Sequence, residues 1–475
     1  MNRREFLIGA GAALAGTAAQ RLPTNVVFIL ADDLGWRDLA CYGSGFYETP
    51  NLDRLARESV RFTNAYAACP VCSPTRASIL TGKYPARLHI TDWIPGRAQF
   101  ATARLLTPRP PQFRHELALE ETIIPQVLKP LGYASASIGK WHLGGPGFYP
   151  DRHGFDLNVG GTERGSPASY FGPWDLPNLK GGTAQDYLTD RLTDEAEKFL
   201  EANRERPFFL YLPEFAVHIP KQGKAEVVAH FREKADAKNP QHDAVYASMI
   251  AGLDDSVGRI LKKLDGLGIA DRTAVIFMSD NGGVEYQGKQ PEKITSNAPL
   301  RAGKGHVYEG GIREPMMIRW PGVTRAGTVC DTPVSSIDFF PTILEMTGAR
   351  APGPVDGVSL APLLRGGRLR REAIYWHYPH YSDQGGYPAG AVRAGDYKLI
   401  EFFEDGKLEL YNLAKDVRES ENLADREPKR AAQLHGMLQK WRRSVDAAMP
   451  VMNPKYDPAA AHEGLTGENP VPAKE

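Results

Sequence analysis

The segment N-V-V-F-I-L-A-D-D, residues 25–33, is a continuous apolar run that ends in two adjacent carboxylates. A run without alternation is typical of a strand that is buried on both faces of a largely parallel sheet. In such α/β sheets, ligands bind beyond the carboxyl ends of the strands. The segment therefore predicts a central strand that places Asp32 and Asp33 at the ligand-binding edge of an α/β domain.

A second continuous run, T-A-V-I-F-M at residues 273–278, is followed by S-D-N-G-G. Strand patterns at residues 133–138 and 208–212 also lead, within a few residues, into polar side chains. The polar groups behind these three strands are Asp280 and Asn281, Lys140 and His142, and His218. Because parallel strands present their carboxyl ends at one edge of a sheet, we expect these groups to converge with the aspartate pair.

This convergence would bring together three carboxylates and one amide oxygen, from Asp32, Asp33, Asp280 and Asn281. Oxygen-only ligand sets suit Ca²⁺ or Mg²⁺ better than zinc, which prefers nitrogen and sulfur. Each motif alone is commonly just a turn, because Asp, Asn and Gly favour turn positions. Their combination behind separate buried strands predicts a site for a hard divalent cation and leaves the choice between Ca²⁺ and Mg²⁺ open.

The segment C-P-V-C-S-P-T-R-A-S-I-L-T-G-K, residues 69–83, predicts a loop that turns into a short helix. Ser73 is suited to cap this helix, Pro74 to occupy its first position and Gly82 to end it. The start of the helix would then attract an anion through its N–H groups and its dipole. Cys72 is therefore predicted to be a nucleophile beside an anion-binding helix end.

Cys69 and Cys72 form a C-P-V-C motif, which is also compatible with a redox pair or with half of a zinc site. A redox pair is expected in a smaller, thioredoxin-like domain, and a zinc site needs a second pair of ligands. The other two cysteines, Cys41 and Cys330, are far apart in the sequence. Both alternatives are therefore disfavoured, and four cysteines do not indicate a disulfide scaffold.

The run Cys72-Ser73-Pro74-Thr75-Arg76, followed by Leu80-Thr81-Gly82-Lys83, resembles the signature of the type I sulfatases. These are the formylglycine-dependent, arylsulfatase-like members of the alkaline phosphatase superfamily, whose signature is C-x-P-S-R with a T-G-R-like ending. This sequence differs at Thr75, where the family has Ser, and at Lys83, where it has Arg. The resemblance covers residues 24–425, including the later D-Y-K-L-I and Y-N-L-x-x-D motifs.

The resemblance implies an α/β fold of the alkaline phosphatase type and hydrolysis of a sulfate monoester on a carbohydrate. It implies that Cys72 is oxidised to formylglycine by a formylglycine-generating enzyme. It also implies a divalent cation, Ca²⁺ with Mg²⁺ as the alternative, beside that residue. The implied metal ligands are Asp32, Asp33, Asp280, Asn281 and the hydrate at residue 72.

The resemblance further implies roles for the basic residues. Arg76 would hold the formylglycine hydrate, and Lys140 and His142 match a G-K-W-H motif beside it. His218 in H-x-P and Lys304 in G-K-G match the pair that contacts sulfate and the leaving oxygen. In this scheme Asp280 accepts the first proton, His218 protonates the leaving group, and His142 takes the proton that releases sulfate. The divalent cation and the basic side chains, Lys140, Lys304 and Arg76, would lower the barrier of the reaction electrostatically.

Two other functions are compatible with these residues. A phosphonate monoester or phosphodiester hydrolase shares the formylglycine and metal frame, and a sulfated-glycan binding protein could retain a decayed site. A histidine that follows a strand is often only a packed core residue, and a lysine in a glycine-rich loop is often only a solvated charge. The motifs around His142, His218 and Lys304 favour the catalytic interpretation.

The length of 475 residues predicts two domains. Lys plus Arg and Asp plus Glu number 57 each, which excludes a global field that would attract nucleic acid. A twin-arginine pattern before a short apolar run predicts export to the periplasm or outside, with a short N-terminal anchor as the alternative, and no stretch is long enough to cross a bilayer. The predicted parts are a signal peptide (1–20), a catalytic α/β domain (22–365), an α+β subdomain (366–454) and a disordered tail (455–475).

Two further segments contain candidate substrate contacts. Residues 84–120 predict a long surface loop that faces the substrate. The run Y-W-H-Y-P-H-Y in the second domain either lines the substrate pocket or packs internally. The candidates are His89, Asp92, Trp93 and Arg97 in the first segment and His377, Tyr378, His380 and Tyr381 in the second.

Overall fold

The computed structural model describes residues 24–96, 104–107, 113–285 and 293–460. The predicted signal peptide, Arg97 and the last part of the predicted tail lie outside these residues. Among the helices that the structure describes, none combines the length and the apolar character needed to span a bilayer.

The elements of the larger part follow the chain in a mixed order of strands and helices. They are β1 (Asn25–Ala31), α1 (Pro50–Glu58), β2 (Val60–Tyr66), α2 (Cys72–Thr81), α3 (Pro85–Leu88), α4 (Ile124–Leu128), β3 (Ala134–Ile138), β4 (Leu157–Val159), α5 (Leu188–Ala202), β5 (Phe208–Pro213), α6 (Ala225–Lys234), α7 (Ala244–Gly266), β6 (Thr273–Ser279), α8 (Glu309–Ile312), β7 (Arg313–Arg319), β8 (Thr328–Cys330), β9 (Val334–Ser335), α9 (Phe339–Thr347) and α10 (Ala361–Leu364). The smaller part contains β10 (Ile374–Tyr378), β11 (Ala389–Ala394), β12 (Tyr397–Phe402), β13 (Leu408–Asn412) and α11 (Pro428–Ser444).

A nine-stranded sheet forms the centre of the larger part, in the order β4-β3-β5-β1-β6-β7-β2-β8, with β9 also paired to β2. The five strands from β4 to β6 are parallel to one another. Only β7 runs against its neighbours β6 and β2. The predicted fold class, a large and mostly parallel sheet with a smaller C-terminal domain, is confirmed.

The continuous apolar character of β1 follows from its position between two cores. Val27 and Ile29 pack on the side of the sheet that α5 and α7 cover. Val26 and Phe28 pack on the other side, with side chains from α2 and α9. Because both faces of the strand are buried, no position along it favours a polar residue.

Two segments that do not follow a predicted parallel strand also reach the carboxyl edge of the sheet. β2 and β6 both run antiparallel to β7, so β2 ends at the same edge as β6 and leads through residues 67–71 into α2. β7 runs the opposite way, so the segment that precedes it, residues 300–312, arrives at this edge too. These two connections bring Cys72 and Lys304 to the predicted site.

The predicted start of α2, the signature helix that carries the C-S-P-T-R run, was wrong. α2 begins at Cys72, and Val71 is its N-cap without a side-chain cap hydrogen bond. The hydroxyl of Ser73 instead accepts a hydrogen bond from the backbone N–H of Ile94 at 3.1 Å, a contact distant in sequence. The predicted end was right, because Gly82 closes the helix with a φ of 70°. Residue 72 therefore lies in the first turn of the helix.

The smaller part is an antiparallel sheet, β10-β11-β12-β13, with α11 on one face. Its other face packs against the edge of the large sheet, where Trp376 meets Tyr66 with ring centroids 5.3 Å apart. The predicted hairpin around residues 405–406 joins β12 to β13, whereas β10 and β11 were not predicted. The exact domain boundary at residue 365 stays a prediction.

Glu214, which follows β5, is a buried carboxyl group whose ionisation should oppose folding. Its Oε1 accepts the hydroxyl of Ser256 at 2.9 Å, and no described residue donates a hydrogen bond to Oε2. Burial raises its pKa from 4.5 to about 8.

A raised pKa in the folded state stabilises the protein below the unfolded pKa, and this contribution is lost as the pH rises through the folded value. We therefore expect Glu214 to lower the free energy of unfolding by about 1.4 kcal/mol per pH unit between about pH 4.5 and 8. Urea unfolding at pH 5 and pH 8 should show a smaller pH-dependent loss for Glu214→Gln than for the wild type. The exposed control Glu205→Gln should match the wild type, and a Glu214→Gln variant with the wild-type slope would contradict this.

Candidate active site

The acidic residues of the site follow two neighbouring central strands. Asp32 and Asp33 come directly after β1, and Asp280 and Asn281 come directly after β6. The backbone N–H of Asp33 donates to Asp280 Oδ1 at 3.2 Å, and Asn281 Nδ2 donates to Asp33 Oδ1 at 2.7 Å. All four residues are buried. The strand-end rule thus brings these side chains together as the sequence predicts.

This oxygen cluster fits a hard divalent cation. Asp32 Oδ1 and Asn281 Oδ1 are buried, and no described residue donates a hydrogen bond to either oxygen. Ligand atoms of Asp32, Asp33 and His218 lie within 4.8 Å of one another. Burial raises the pKa of Asp32 even though Lys140 and Arg76 oppose that shift. These two buried oxygens are therefore available to a dication, which would satisfy both of them.

Two lysines approach the aspartate pair from different segments. Lys140 Nζ lies 2.7 Å from Asp32 Oδ2, and Lys304 Nζ lies 2.7 Å from Asp33. Burial alone would raise the pKa of Asp33, but Lys304 and His218 outweigh burial and lower it. The two ammonium groups and the two carboxylates form one buried charge cluster.

Gly139 and the segment before α8 explain how these lysines reach the cluster. Gly139 has a φ of 122°, and a Cβ there would come within 2.0 Å of the carbonyl oxygen of Pro213. Only glycine permits this approach, which lets the N–H of Lys140 donate to Pro213 at 2.7 Å. The backbone N–H of Lys304 donates to the carbonyl of Gly283 at 3.2 Å, beside the D-N-G-G turn.

Arg76 links α2 both to the acidic residues of the site and to the loop that carries Lys140. Its Nε and Nη2 donate to Asp280 Oδ2 at 2.9 and 2.7 Å. Its Nη1 donates to the carbonyl of Lys140 at 2.9 Å, and the guanidinium is completely buried. Such two-fold donation fixes the orientation of both partners. Arg76 therefore holds the Asp280 side chain in place and orients the loop that carries Lys140.

The side chain of His142 faces residue 72 with a defined tautomer. Its Nδ1 lies 3.3 Å from Cys72 Sγ, and its Nε2 makes a short hydrogen bond with the carbonyl of Ile94. A carbonyl only accepts, so Nε2 carries the hydrogen and the lone pair of Nδ1 points at residue 72. Burial and the charge of Lys140 hold the pKa of His142 well below its usual range. His142 is thus a neutral base directed at residue 72.

The thiol of Cys72 is in a poor environment for thiolate chemistry. Burial raises its pKa, and Lys140 and Lys304 do not offset that effect. Burial also raises the pKa of Cys69 well above its usual range. Reactive redox pairs have a lowered thiol pKa, and burial moves both of these thiols in the opposite direction, which does not support that alternative for the C-P-V-C motif. Among the described residues, the only potential metal group is the Asp32, Asp33 and His218 set, which contains no cysteine.

His218 lies on the open side of the cluster. Its Nδ1 donates to the carbonyl of Ile219 at 3.0 Å, and its Nε2 lies 3.5 Å from Asp33 Oδ2. Burial lowers its pKa to about 3, Asp33 opposes the shift, and Lys304 adds to it. The ring is therefore neutral, with the lone pair at Nε2.

The other candidate contact residues are mostly internal. The hydroxyl of Tyr378 donates to Asp92 at 3.2 Å, and His380 Nε2 lies 2.8 Å from the Thr91 hydroxyl. His377 Nε2 donates to the carbonyl of Ala448 at 2.9 Å. These three aromatic residues are buried and pack internally, whereas Tyr381, Trp93 and His89 are half-buried.

The predicted surface loop is also partly wrong. Residues 84–96 are mostly buried, with Leu88, Ile90 and Ile94 in the core beside α2. The reason is that the loop packs on the signature helix through the Ser73–Ile94 hydrogen bond. The loop thereby places the Ile94 carbonyl against His142. This contact could not be predicted from the sequence, because any residue type supplies a backbone carbonyl.

Asp38 is a second residue that was missed. It accepts hydrogen bonds from the Thr295 and Tyr246 hydroxyls at 2.6 and 2.7 Å and from the N–H of Gly35 at 2.9 Å. Tyr246 also approaches the carbonyl of Asp33 at 3.3 Å. The signal was the D-D-x-G-x-x-D spacing, in which an aspartate three residues after glycine favours a turn.

The fold and the site together define a hydrolase of the alkaline phosphatase superfamily. The family model described as Sulfatase matches residues 24–349, and the model described as N-sulphoglucosamine sulphohydrolase, C-terminal, matches residues 302–444. The chain belongs to the sulfatase family, and its reaction is the hydrolysis of a sulfuric ester.

Named relatives and solved structures agree with this assignment. The chain is 33% identical to a sulfatase of Formosa agariphila, with 88% of each protein covered. It is 36% identical to the human N-acetylgalactosamine-6-sulfatase, with 76% of this chain and 70% of that protein covered. The crystal structure of Ps i-CgsB in complex with k-i-k-neocarrahexaose has a TM-score of 0.73 and 27% identity, covering 92% of this chain and 94% of that one.

Proposed function

We propose that this sulfatase hydrolyses a sulfate monoester on a carbohydrate. The proposal rests on one observation above all. A buried cluster of oxygen ligands, flanked by Lys140 and Lys304, lies at the same sheet edge as Cys72 and its neutral base His142. The carbohydrate class is supported by the names of the relatives, one an N-acetylgalactosamine-6-sulfatase and one a protein solved with a neocarrahexaose.

We propose that Cys72 is converted to formylglycine by a formylglycine-generating enzyme. The hydrate of that residue would supply a nucleophilic hydroxyl and a second hydroxyl that allows sulfate to leave. The proposed ligands of the divalent cation, Ca²⁺ or Mg²⁺, are Asp32, Asp33, Asp280, Asn281 and residue 72. The cation would supply positive charge to the sulfate oxygens and to the nucleophile.

The chain's own residues then divide the remaining work. Lys140 and Lys304 would stabilise negative charge on the sulfate oxygens in a buried site, where such interactions are strong. Asp280 would accept the proton of the attacking hydroxyl through Oδ1, because Arg76 donates only to Oδ2. His142 would take the proton of the second hydroxyl at Nδ1 as sulfate leaves. A sulfate ester beside His218 would favour its protonated form, which can donate to the leaving oxygen.

Parallel assays test the proposed reaction against the alternatives. The wild type should turn over 4-nitrophenyl sulfate faster than a phenylphosphonate ester, because sulfate and phosphonate esters differ in transition-state charge. Faster phosphonate hydrolysis would favour the phosphonate or phosphodiester alternative. Binding of sulfated glycans without any hydrolysis would favour a binding protein with a decayed site.

We also propose that residues 1–20 direct twin-arginine export to the periplasm or to the outside of the cell. This route carries folded proteins, so a residue matured in the cytoplasm could be exported in its final form. Cell fractionation should find the protein outside the cytoplasm, and replacement of Arg3 and Arg4 by lysine should retain it inside. An unchanged distribution would contradict the export proposal.

Metal addition should change stability as well as activity. Ca²⁺ or Mg²⁺ at about 100 times its Kd should add about 2.7 kcal/mol to the free energy of unfolding of the metal-free enzyme. The resulting rise in Tm should disappear in Asp32→Asn, which keeps the shape of the side chain but removes its charge. Chelation should abolish sulfatase activity in the wild type.

Glu314→Gln is the matched control for that experiment. Glu314 is also buried, and no described residue donates a hydrogen bond to either of its carboxyl oxygens. Burial holds its pKa well above the usual range, so Gln resembles its folded form. Glu314→Gln should keep the metal-dependent rise in Tm, and an equal rise in Asp32→Asn would contradict the ligand assignment.

A further inference from the structure

A cavity lies between the segment that carries Lys304 and the hairpin of β12 and β13. Its volume is about 400 Å³, enough for a sugar ring. We call it the hairpin cavity, and its lining includes Arg301, His306, Tyr387, Phe402, Glu404 and Lys407. None of the roles proposed above uses this cavity.

Two aromatic rings give the hairpin cavity apolar faces. Tyr387 and Phe402 line it, and both are only half-buried in a chain where most large aromatic residues are buried. Tyr387 also packs against Tyr381, with ring centroids 6.1 Å apart. A partly exposed ring in a concave site offers a rigid surface for the apolar face of a sugar.

The charges of the hairpin cavity favour a neutral ligand. Its two cations are already engaged. Lys407 Nζ lies 3.0 Å from Glu409 Oε1, and the guanidinium of Arg301 stacks on the Tyr308 ring at 3.9 Å. The lining carries three carboxylates, Glu404, Asp405 and Glu409, and Arg104, which lies over the Tyr381 ring, is a third cation near Glu404. Because neither sign of charge is in excess, the cavity offers no surplus cation to a second sulfate group, whereas sugar hydroxyls can donate to carboxylates.

Few residues separate the hairpin cavity from Lys304 and from the segment that precedes Cys72. The N–H of Gly305 donates at 2.8 Å to the carbonyl of Pro70, two residues before Cys72. The carbonyl oxygen of Gly305 packs against Gly386, where a Cβ would come within 1.8 Å of it. The residue after Gly386 is Tyr387, a wall of the cavity. The residue directly after Lys304 therefore lies beside this wall, and His306, two residues after Lys304, lines the cavity itself.

We infer that the hairpin cavity binds a neutral sugar unit joined to the sulfated one, so that the enzyme acts on an oligosaccharide. The inference rests on the proposed function, because it assigns the part of a carbohydrate substrate that does not carry the reacting sulfate. The contact would be made equally in the ground state and the transition state. It would therefore act through KM and leave kcat unchanged.

The test compares three substrates in the full chain. They are 4-nitrophenyl sulfate, the most active of a set of galactose and N-acetylgalactosamine monosulfates, and the same monosulfate extended by one neutral galactose. The wild type should prefer the extended substrate through a lower KM. Tyr387→Ala should lower kcat/KM about tenfold for the extended substrate alone, the change expected when the apolar contact of one side chain is lost.

Two variants complete the design. Tyr387→Phe keeps the ring and should retain the preference for the extended substrate. Tyr397→Ala removes a half-buried tyrosine from the α11 side of the same sheet, where Tyr397 stacks on Arg430, and should behave as the wild type. This control separates ligand contact from a general effect on the sheet.

The outcomes that overturn the inference differ from those that overturn the proposed function. Equal kcat/KM for the single and the extended sugar, or an unchanged preference in Tyr387→Ala, would overturn the cavity assignment. A higher kcat/KM for an extended substrate whose second sugar is also sulfated would overturn the assignment to a neutral unit. No turnover of any sulfate ester by the wild type would instead contradict the proposed function.

Discussion

Cys72→Ser is expected to lose sustained sulfatase turnover, with at most a single stoichiometric burst of product. Serine has the size of cysteine and still faces Nδ1 of His142, so it can form a sulfate ester. It has no second hydroxyl, so sulfate cannot leave and the ester persists. Steady-state activity on 4-nitrophenyl sulfate should fall at least about a thousandfold, as expected when a nucleophile is removed.

Cys69→Ser is the matched control for this experiment. Cys69 is also buried, three residues earlier, but its Sγ contacts the carbonyl of Thr91 at 3.7 Å instead of a histidine. This variant should keep most of the wild-type activity. Sustained turnover by Cys72→Ser at a rate near that of Cys69→Ser would refute the assignment of residue 72 as the reacting group.

Lys398→Met is expected to cause the largest loss of stability, about 3–5 kcal/mol in the free energy of unfolding. Lys398 is completely buried, with Nζ 3.0 Å from Glu309 Oε1 and 2.9 Å from Glu419 Oε1. Burial raises the pKa of Glu419, and Lys398 opposes that shift. Without the lysine, two buried carboxylates would lose their shared cation. Urea unfolding at pH 7 should measure the change.

The double variant Lys398→Met/Glu419→Gln provides the internal check, because it removes one of the uncompensated charges. It should be more stable than Lys398→Met alone, a coupling expected for residues in one ion network. The exposed control Lys415→Met should unfold like the wild type. A double variant that is less stable than the single one would contradict the network interpretation.

The same network bears on activity. Glu419 accepts the N–H of Glu309 at 2.7 Å through Oε2, and its carbonyl accepts Arg301 Nη1 at 2.9 Å. Arg301 and Glu309 flank the segment that carries Lys304. The loop after β13, held by Lys398, therefore anchors both ends of that segment, so we expect Lys398→Met to lower kcat under conditions in which the variant is still folded.

The features that were predicted best from the sequence are those that one physical rule determines. β1 and β6 are buried on both faces, so their apolar runs are continuous and their ends could be located. The convergence of Asp32, Lys140, His218 and Asp280 at one edge follows from the direction of parallel strands, without knowledge of any contact. The catalytic roles of these residues remain proposals.

Contacts distant in sequence account for what was missed. β2 (V-R-F-T-N-A-Y) contains several polar residues, so its strand pattern is weak. Its neighbours in the sheet, β7, β8 and β9, are distant in sequence. The residues of β10 were left open between lining the substrate pocket and packing internally, and the strand itself was not predicted, because its partner β11 lies more than ten residues away. Serine is a favoured helix cap, but the hydroxyl of Ser73 accepts a hydrogen bond from the backbone N–H of Ile94 instead.

Mass spectrometry of the peptide that contains residue 72, in active enzyme from its native host, tests the central claim most directly. The account predicts an aldehyde in place of the thiol, in a fraction of molecules that rises in parallel with specific activity across preparations. Fully active enzyme in which residue 72 is an unmodified cysteine would contradict it.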